Sequence, residues 1–552
     1  MNEPPDLVLG PLLRWVDDDS ATIWIETSAA CHVDVLGHAT PTFQVEGRHY
    51  ALVIVTGLEP GSTTPYAVHL DGCCVWPEPD SDVPASVIRT TGAQHPVRVL
   101  LGSCRAAAPH EVPYTQDLAF NPEGRGVDTL WAHALRMMTQ DVELWPTFVV
   151  FAGDQIYADD SSPKARERIE ARRADGLDLD VSKVHDFEEY CWLYHEAWSS
   201  RAERWLLSTV PSAMIFDDHD MIDDWNISAS WLGDMGSEPT WAKRAVDGYM
   251  SYWVHQHLGN LSPGQVREDG LLEQLCAVDD GTDILRAWAQ RCLDNAGSAS
   301  GMQFSHVRHL DDVTVITIDC RNGRVLDAGE RLMVQQSEWD MVVQAAHDAA
   351  GHVMFVTSLP VYIADGIHDL HTWNERVCEA GAWGGWGRRL GERVRRSLDL
   401  EDWPAFPTSF AAFGELIASL QHGDSPPASI VVASGDIHFS YAARVEQFAD
   451  GPGPEVWQVV SSPIRNALIP PERGAMRFAI TRSGGVVGAL LRRASRGIDT
   501  RPGLAVEAGP YFANNMCVID YRAEGVVAVF EQSTSSDTGD DPVLTEVGRV
   551  SL

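Results

Sequence analysis

No stretch of about eighteen consecutive apolar residues occurs in this chain of 552 residues, which excludes a helical membrane span. Met1–Arg14 shows no basic segment followed by an apolar one. No secretory signal is therefore expected and the chain reads as cytoplasmic, although an exported chain stripped of its leader would read the same. The phosphate-cradling P-loop, the dinucleotide fingerprint G-x-G-x-x-G and the zinc-type C-x-x-C pair are all missing, so the commonest nucleotide and structural-zinc signatures are excluded. Basic residues are scarce, 41 against 79 acids for a net charge of −38, and such a surface repels nucleic acid and anionic membrane by default. Ten cysteines lie at irregular spacing, with only Cys73 and Cys74 adjacent, and read as mostly buried free thiols rather than a disulfide framework. No internal repeat is present.

What is there falls into two regimes. Residues 7–91 carry short Val-, Ile- and Thr-rich runs, Ala21–Thr27, His32–Gly37 and Tyr50–Leu58, separated by turn residues. This pattern predicts a β-sandwich of the fibronectin or immunoglobulin type over residues 1–93. Tyr66, after a Pro- and Gly-containing turn, is placed as its tyrosine corner. From Val97 the rhythm changes to buried apolar runs alternating with helical stretches, the α/β signature. The runs are Val97–Cys104, Thr147–Asp154, Ser212–Asp220, Val313–Arg321, His352–Pro360 and Ser429–His438. Each ends in polar residues, and the carboxyl ends of such strands open onto a ligand crevice, so all are expected on one edge of one sheet. This second domain is placed at residues 94–530, with helical insertions near 161–208, 222–300 and 364–413 and a C-terminal tail at 531–552. The Trp-rich insertions read equally as a lid over a pocket or as a cap packing its own core. Ser535–Pro542, low in apolar content, is expected to fray.

The strand ends supply the chemistry. In order they offer Cys104, then Asp154 and Tyr157, then Asp217, Asp218, His219, Asp220 and Asp223, and finally Asp436 and His438. Carboxylates suit hard cations, whereas imidazole and thiolate suit softer ones. A phenol of pKa about 10 becomes a ligand only beside a strong Lewis acid, which points to a trivalent ion such as ferric iron near Tyr157, with Cys104 able to share it. Each residue also has a plainer reading. Asp154 can cap a helix, Tyr157 can simply pack, Cys104 can be one more buried thiol, and His438 can be an outer hydrogen-bond donor. Arg105 can neutralise a phosphate bidentately or form an ordinary surface ion pair. His368 and His371 are read as rim residues.

The blocks "GSC" (Gly102–Cys104), "AGDQIYADD" (Ala152–Asp160), "FDDHDMIDDWN" (Phe216–Asn226) and "SGDIHFSY" (Ser434–Tyr441) resemble, in order, the signature blocks of the alkaline phosphatase D (PhoD-like) family of the metallophosphoesterase superfamily. "IDCRNGR" (Ile318–Arg324) and "VVSSPIRNAL" (Val459–Leu468) extend the resemblance. It implies an α/β (α+β) metallophosphoesterase-like β-sheet sandwich with flanking helices behind the N-terminal sandwich. It also implies that Asp154 bridges two metals, that Cys104 and Tyr157 hold Fe(3+), and that Asp436 and His438 form the final ligand pair. Asp218 stands where the superfamily carries Asn, and Asp223 stands where the family often has Asn. The second ion is thereby expected to be Ca2+, Mg2+ or Mn2+. His219 is placed near the leaving-group oxygen.

The function expected from this is metal-dependent hydrolysis of a small-molecule phosphate monoester or diester by a metal-activated hydroxide, with His219 and Arg105 as catalytic residues. Two alternatives stand beside it: a dinuclear-metal hydrolase acting on a non-phosphate substrate, and a non-catalytic ligand-binding protein of the same fold. No nucleic acid partner is expected. An acid-rich surface repels a phosphate ester at long range, so bound cations must reverse the sign locally.

Overall fold

The computed structural model describes residues 4–92, 96–173, 179–327, 330–379, 381–449, 453–468, 470–535 and 541–552. The N-terminal part is an all-β sandwich. One sheet joins Leu7–Val16, Ser20–Thr27, Arg48–Thr56 and Phe43–Val45, and the other joins His38–Pro41, His32–Val35, Val68–Leu70 and Cys73–Trp76. Side chains alternate along a strand. In Ser20–Thr27, Ala21, Ile23 and Ile25 fill the sandwich core beside Val33, Val68 and Leu70. Trp24, on the opposite face, belongs to the core of the helices that follow. All eight residues of that strand are buried, so the sandwich is welded to the rest of the chain. Tyr66 shows the same bias: its Oη donates to Ser208 O at 2.6 Å. The expected tyrosine corner is instead a tie to the helix Arg201–Thr209.

The single sheet expected from the strand pattern is two, the β-sheet sandwich that the resemblance implied. The first orders Ser212–Met214, Phe148–Phe151, Val97–Gly102, Asn515–Arg522, Gly525–Ser535 and Pro542–Ser551, parallel over the first three strands and antiparallel thereafter. The second orders His306–Leu310, Val313–Ile318, His352–Thr357, Ile430–Ser434, Val456–Val460, Ser440–Val445 and Leu504–Tyr511. Val99, Leu101 and Val150 of the first sheet meet Val315, Val356 and Val431 of the second in a shared core. Leu100 and Val149 turn outward to one helical layer, and Ile316 and Phe355 turn to another. Strands covered on both faces read as continuous apolar runs whichever sheet they join, which is why the sequence pattern located the strands and merged the sheets. The expected tail is also corrected: Pro542–Ser551 is the edge strand of the first sheet. Of the stretch expected to fray, residues 536–540 lie outside the described residues.

The insertions are helical, and their aromatics settle the choice between lid and core. Trp225, Trp231, Trp241, Trp253 and Trp288 are all buried, and Trp225 contacts the Trp231 and Trp241 rings at 5.8 and 5.4 Å. They are a packed core. Within 364–413 the picture is mixed, with Trp403 buried and Trp386 exposed. Seven of the ten cysteines are buried and all ten are free. Among the described residues no helix is long and apolar enough to cross a membrane.

Candidate metal centre

At three strand ends the chain turns through the left-handed region: at Cys104 (φ 55°), at Asp154 (φ 30°), and at Asp436 (φ 65°) and His438 (φ 55°). Non-glycine residues adopt this conformation at a cost of about 1–2 kcal/mol each, and such costs concentrate where side chains must be aimed. Gly153 makes the second corner possible. Its φ is 119°, and a Cβ there would overlap Asp217 Oδ2.

Asp154 is the hub. Its carboxylate belongs to three groups whose ligand atoms lie within 4.8 Å of one another: Cys104–Asp154–His438, Asp154–Asp218–His219, and Asp154–Asp217–Asp218–Asp436. The first two strand-end segments come from one sheet and Asp436 and His438 from the other, so the crevice lies between the sheet edges. Neither Asp154 oxygen has a hydrogen-bond partner among the described residues, nor do Asp217 Oδ2 and Tyr157 Oη. Buried polar atoms are nearly always partnered, and an unpaired buried carboxylate is costly. The donor set therefore fits a cation. Burial, with Asp217 and Asp218 adding to it, pushes the Asp154 carboxyl well above its usual range. Burial likewise raises the Cys104 thiol and the Tyr157 phenol far above theirs. A bound cation would displace those protons. Burial holds His438 down to about 3, leaving a neutral imidazole with a free lone pair.

His219 Nδ1 lies 2.8 Å from Asp159 Oδ1, and its ring sits 4.6 Å from that of Tyr157. Burial would lower its pKa, but Asp159 and Asp218 overcome this and hold it well above the usual imidazole value. Asp223 is at the exposed rim: its N–H donates to Asp159 Oδ2 at 2.7 Å, and burial and Asp218 push its carboxyl up to about 6.

Arg105 is a correction. Its guanidinium is 4% exposed and spent on Asp128 at 2.9 Å, Glu203 at 2.8 Å and Ala197 O, so it neither faces a substrate nor forms a surface pair. The arginine that does reach the crevice is Arg321. It binds Asp217 at 2.6 Å, Asp436 at 3.0 Å, Asp218 at 3.2 Å and also Glu401. Its signal was the "IDCRNGR" block at the end of strand Val313–Ile318. Asp159 was likewise visible inside "AGDQIYADD". His368 and His371 lie elsewhere, on the helix Asp365–Cys378, bonded to Thr500 and Ile367 O.

A longer relay had no local signal. Arg14, fully buried in the N-terminal sandwich, donates to His255 O (2.8 Å), Gln256 O (2.9 Å) and Asn260 Oδ1 (3.1 Å). His255 and Gln256 lie in a π-helical turn, Trp253–His257, a feature frequent at functional sites. Gln256 Nε2 donates to Asp220 Oδ1 at 3.1 Å, and the same oxygen accepts from Gln155 N at 3.1 Å and Ile156 N at 3.4 Å. The sandwich thus braces the loop that carries Asp154.

Two sheets packed face to face, with loops from both converging on one acidic, thiol- and imidazole-bearing crevice, define a metallophosphoesterase-like fold, here preceded by an immunoglobulin-like sandwich. A solved structure titled "Structure of PhoD" aligns over 100% of this chain and 90% of its own, with a TM-score of 0.57 at 11% identity, a likeness of fold. Residues 124–267 match the family model described as PhoD-like phosphatase, and residues 4–88 match a domain of unknown function, DUF7800. The similarity to the PhoD-like phosphatase family is thus carried by residues 124–267, and the likeness of fold extends over the whole chain. A maltogenic amylase from S. marinus reaches a TM-score of 0.18, which carries no argument. No match is found among the curated proteins.

Proposed function

We propose that the chain is a metal-dependent hydrolase of small phosphate esters. The observation that carries this is Asp154: one buried carboxylate, both oxygens unpartnered, shared by a thiol–imidazole group on one side and a carboxylate group on the other. In this reading Cys104, Tyr157, Asp154 and His438 hold ferric iron. Asp154, Asp218 and Asp436, with Asp223 at the rim, hold a divalent ion for which calcium, magnesium or manganese is suited. When bound, the cations would polarise a phosphoryl oxygen and lower the pKa of water.

The chain's own residues do the rest. Arg321 keeps Asp217, Asp218 and Asp436 converged despite their like charge. With Asp159 on Nδ1, His219 keeps Nε2 for the crevice, where it can give a proton to the leaving alkoxide. The test is Asp154→Asn. Expected are loss of bound metal by elemental mass spectrometry and a fall of at least about a thousandfold in turnover of p-nitrophenyl phosphate and bis-p-nitrophenyl phosphate. Retained metal with retained turnover would overturn the reading. Turnover of carboxylic esters but of no phosphate ester would move the chain to another hydrolase class.

A further inference from the structure

Two segments reverse the charge of the molecule. Gly384–Ser397 holds five arginines and one acid, and residues 470–501 hold seven arginines and two acids, in a chain of net −38. The same segments expose large apolar side chains. On Gly384–Ser397, Trp386 is 66% exposed and Leu390 41%. Arg389 and Arg393 are also exposed, so residues 386, 389, 390 and 393 form one helical stripe. On Arg482–Ala494, Val486, Val487 and Leu490 are 62, 47 and 59% exposed, and Arg493 continues their stripe. Phe478 and Ile498 flank it, also exposed. Among the described residues no ion pair engages Arg388, Arg389, Arg393, Arg493 or Arg496, although acids abound elsewhere.

The two helices meet at one end. Trp383 stacks beside Trp386 at 5.9 Å, and its Nε1 donates to Ala494 O at 3.3 Å. Both helices sit on Asp365–Cys378. Asn374 donates to Gly391 O at 2.8 Å, and Gly488 lies so close that a Cβ would come within 2.8 Å of Asp369 Cβ. The inner faces are therefore engaged, whereas Val486, Val487 and Leu490 point outward and are exposed.

We infer that this face docks on an anionic lipid bilayer. Exposed Trp, Phe, Leu and Val between unpaired arginines are the composition of an interfacial amphipathic surface, with aliphatic groups entering the acyl boundary and guanidinium groups meeting anionic headgroups. A second copy related by a two-fold axis would set arginine stripe against arginine stripe. Nucleic acid would satisfy the arginines but leave the aliphatic residues without a use. The acidic remainder of the molecule does not forbid docking, since charges beyond a Debye length of about 8 Å are screened at physiological salt. The helix Pro470–Ala479, which precedes the second stripe in sequence, reaches toward the candidate centre. Met476 and Ile480, between the two stripes in sequence, pack with Ile437 against Phe439, Tyr441 and Phe512, and Ile437 stands between Asp436 and His438. The inference stands independently of the proposed chemistry.

The test is flotation of the full-length protein with vesicles of phosphatidylcholine alone or with one-third phosphatidylglycerol. Binding is expected only with phosphatidylglycerol and should fall steeply in high salt. The combined variant Trp386→Ser, Val487→Ser, Leu490→Ser should weaken it at least tenfold at unchanged melting temperature, as should Arg389→Glu with Arg393→Glu. Three results would overturn the inference: no flotation, flotation that both variants retain, or a concentration-dependent dimer in ultracentrifugation that the variants abolish.

Discussion

Tyr157 and Cys104 carry protons that burial makes hard to remove, so their proposed use as ligands can be tested by spectroscopy. Iron-loaded protein is expected to show a visible tyrosinate band. Tyr157→Phe should lose it, with the melting temperature as the control for folding. His255 tests a different physics. Burial holds it down to about 3; its ring stacks on Tyr194 at 4.2 Å, and Nδ1 donates to Ser251 O at 2.9 Å. In the unfolded chain it titrates near about 6.5. Its contribution is therefore complete above that pH and is lost as pH falls toward the folded value, since only the unfolded state takes up the proton. His255→Phe keeps the stacking and should remove about one proton from the slope of unfolding free energy between pH 4 and 6, about 1.4 kcal/mol per pH unit, as read from urea midpoints. The lost Nδ1 bond shifts the whole curve and leaves the slope difference intact.

The strand-to-loop corner is the element that makes the centre. Gly153→Ala should place a methyl on Asp217 and force a rarely adopted φ. A loss of about 2–4 kcal/mol of stability and of bound metal is expected, measured by denaturant unfolding and elemental analysis. At this scale much was legible beforehand. The six apolar runs became strands with polar ends because residues buried on both faces leave an unambiguous pattern. Their division between two sheets was implied by the motif resemblance but not legible in the runs themselves, since Val99 and Val315 look alike whichever layer they join. Nor could spacing show that Arg105 turns toward Asp128 while Arg321 turns into the crevice, because the direction of each side chain depends on partners on other elements of the fold.

Across the whole molecule, Arg14 is the clearest case of such distance. Replacing it with Met leaves the carbonyls of His255 and Gln256 without their charged donor. A cost of about 2–4 kcal/mol is expected, together with weaker metal retention against a chelator. The milder Gln256→Leu, which cuts only the last link to Asp220, should weaken metal retention with a smaller loss of stability. If neither variant moves metal retention, the sandwich is a passive neighbour.

The first sheet places Val97–Gly102 between Phe148–Phe151 and Asn515–Arg522, so its middle is sealed by residues made some four hundred positions later. A ribosome-bound chain that has not yet emerged past Asn515 holds only half of that sheet, and Cys104 then hangs from an open edge. Assembly of the crevice must await synthesis of Asn515–Arg522, and fragments that stop short of it would present thiol and carboxylates without the geometry to capture a cation.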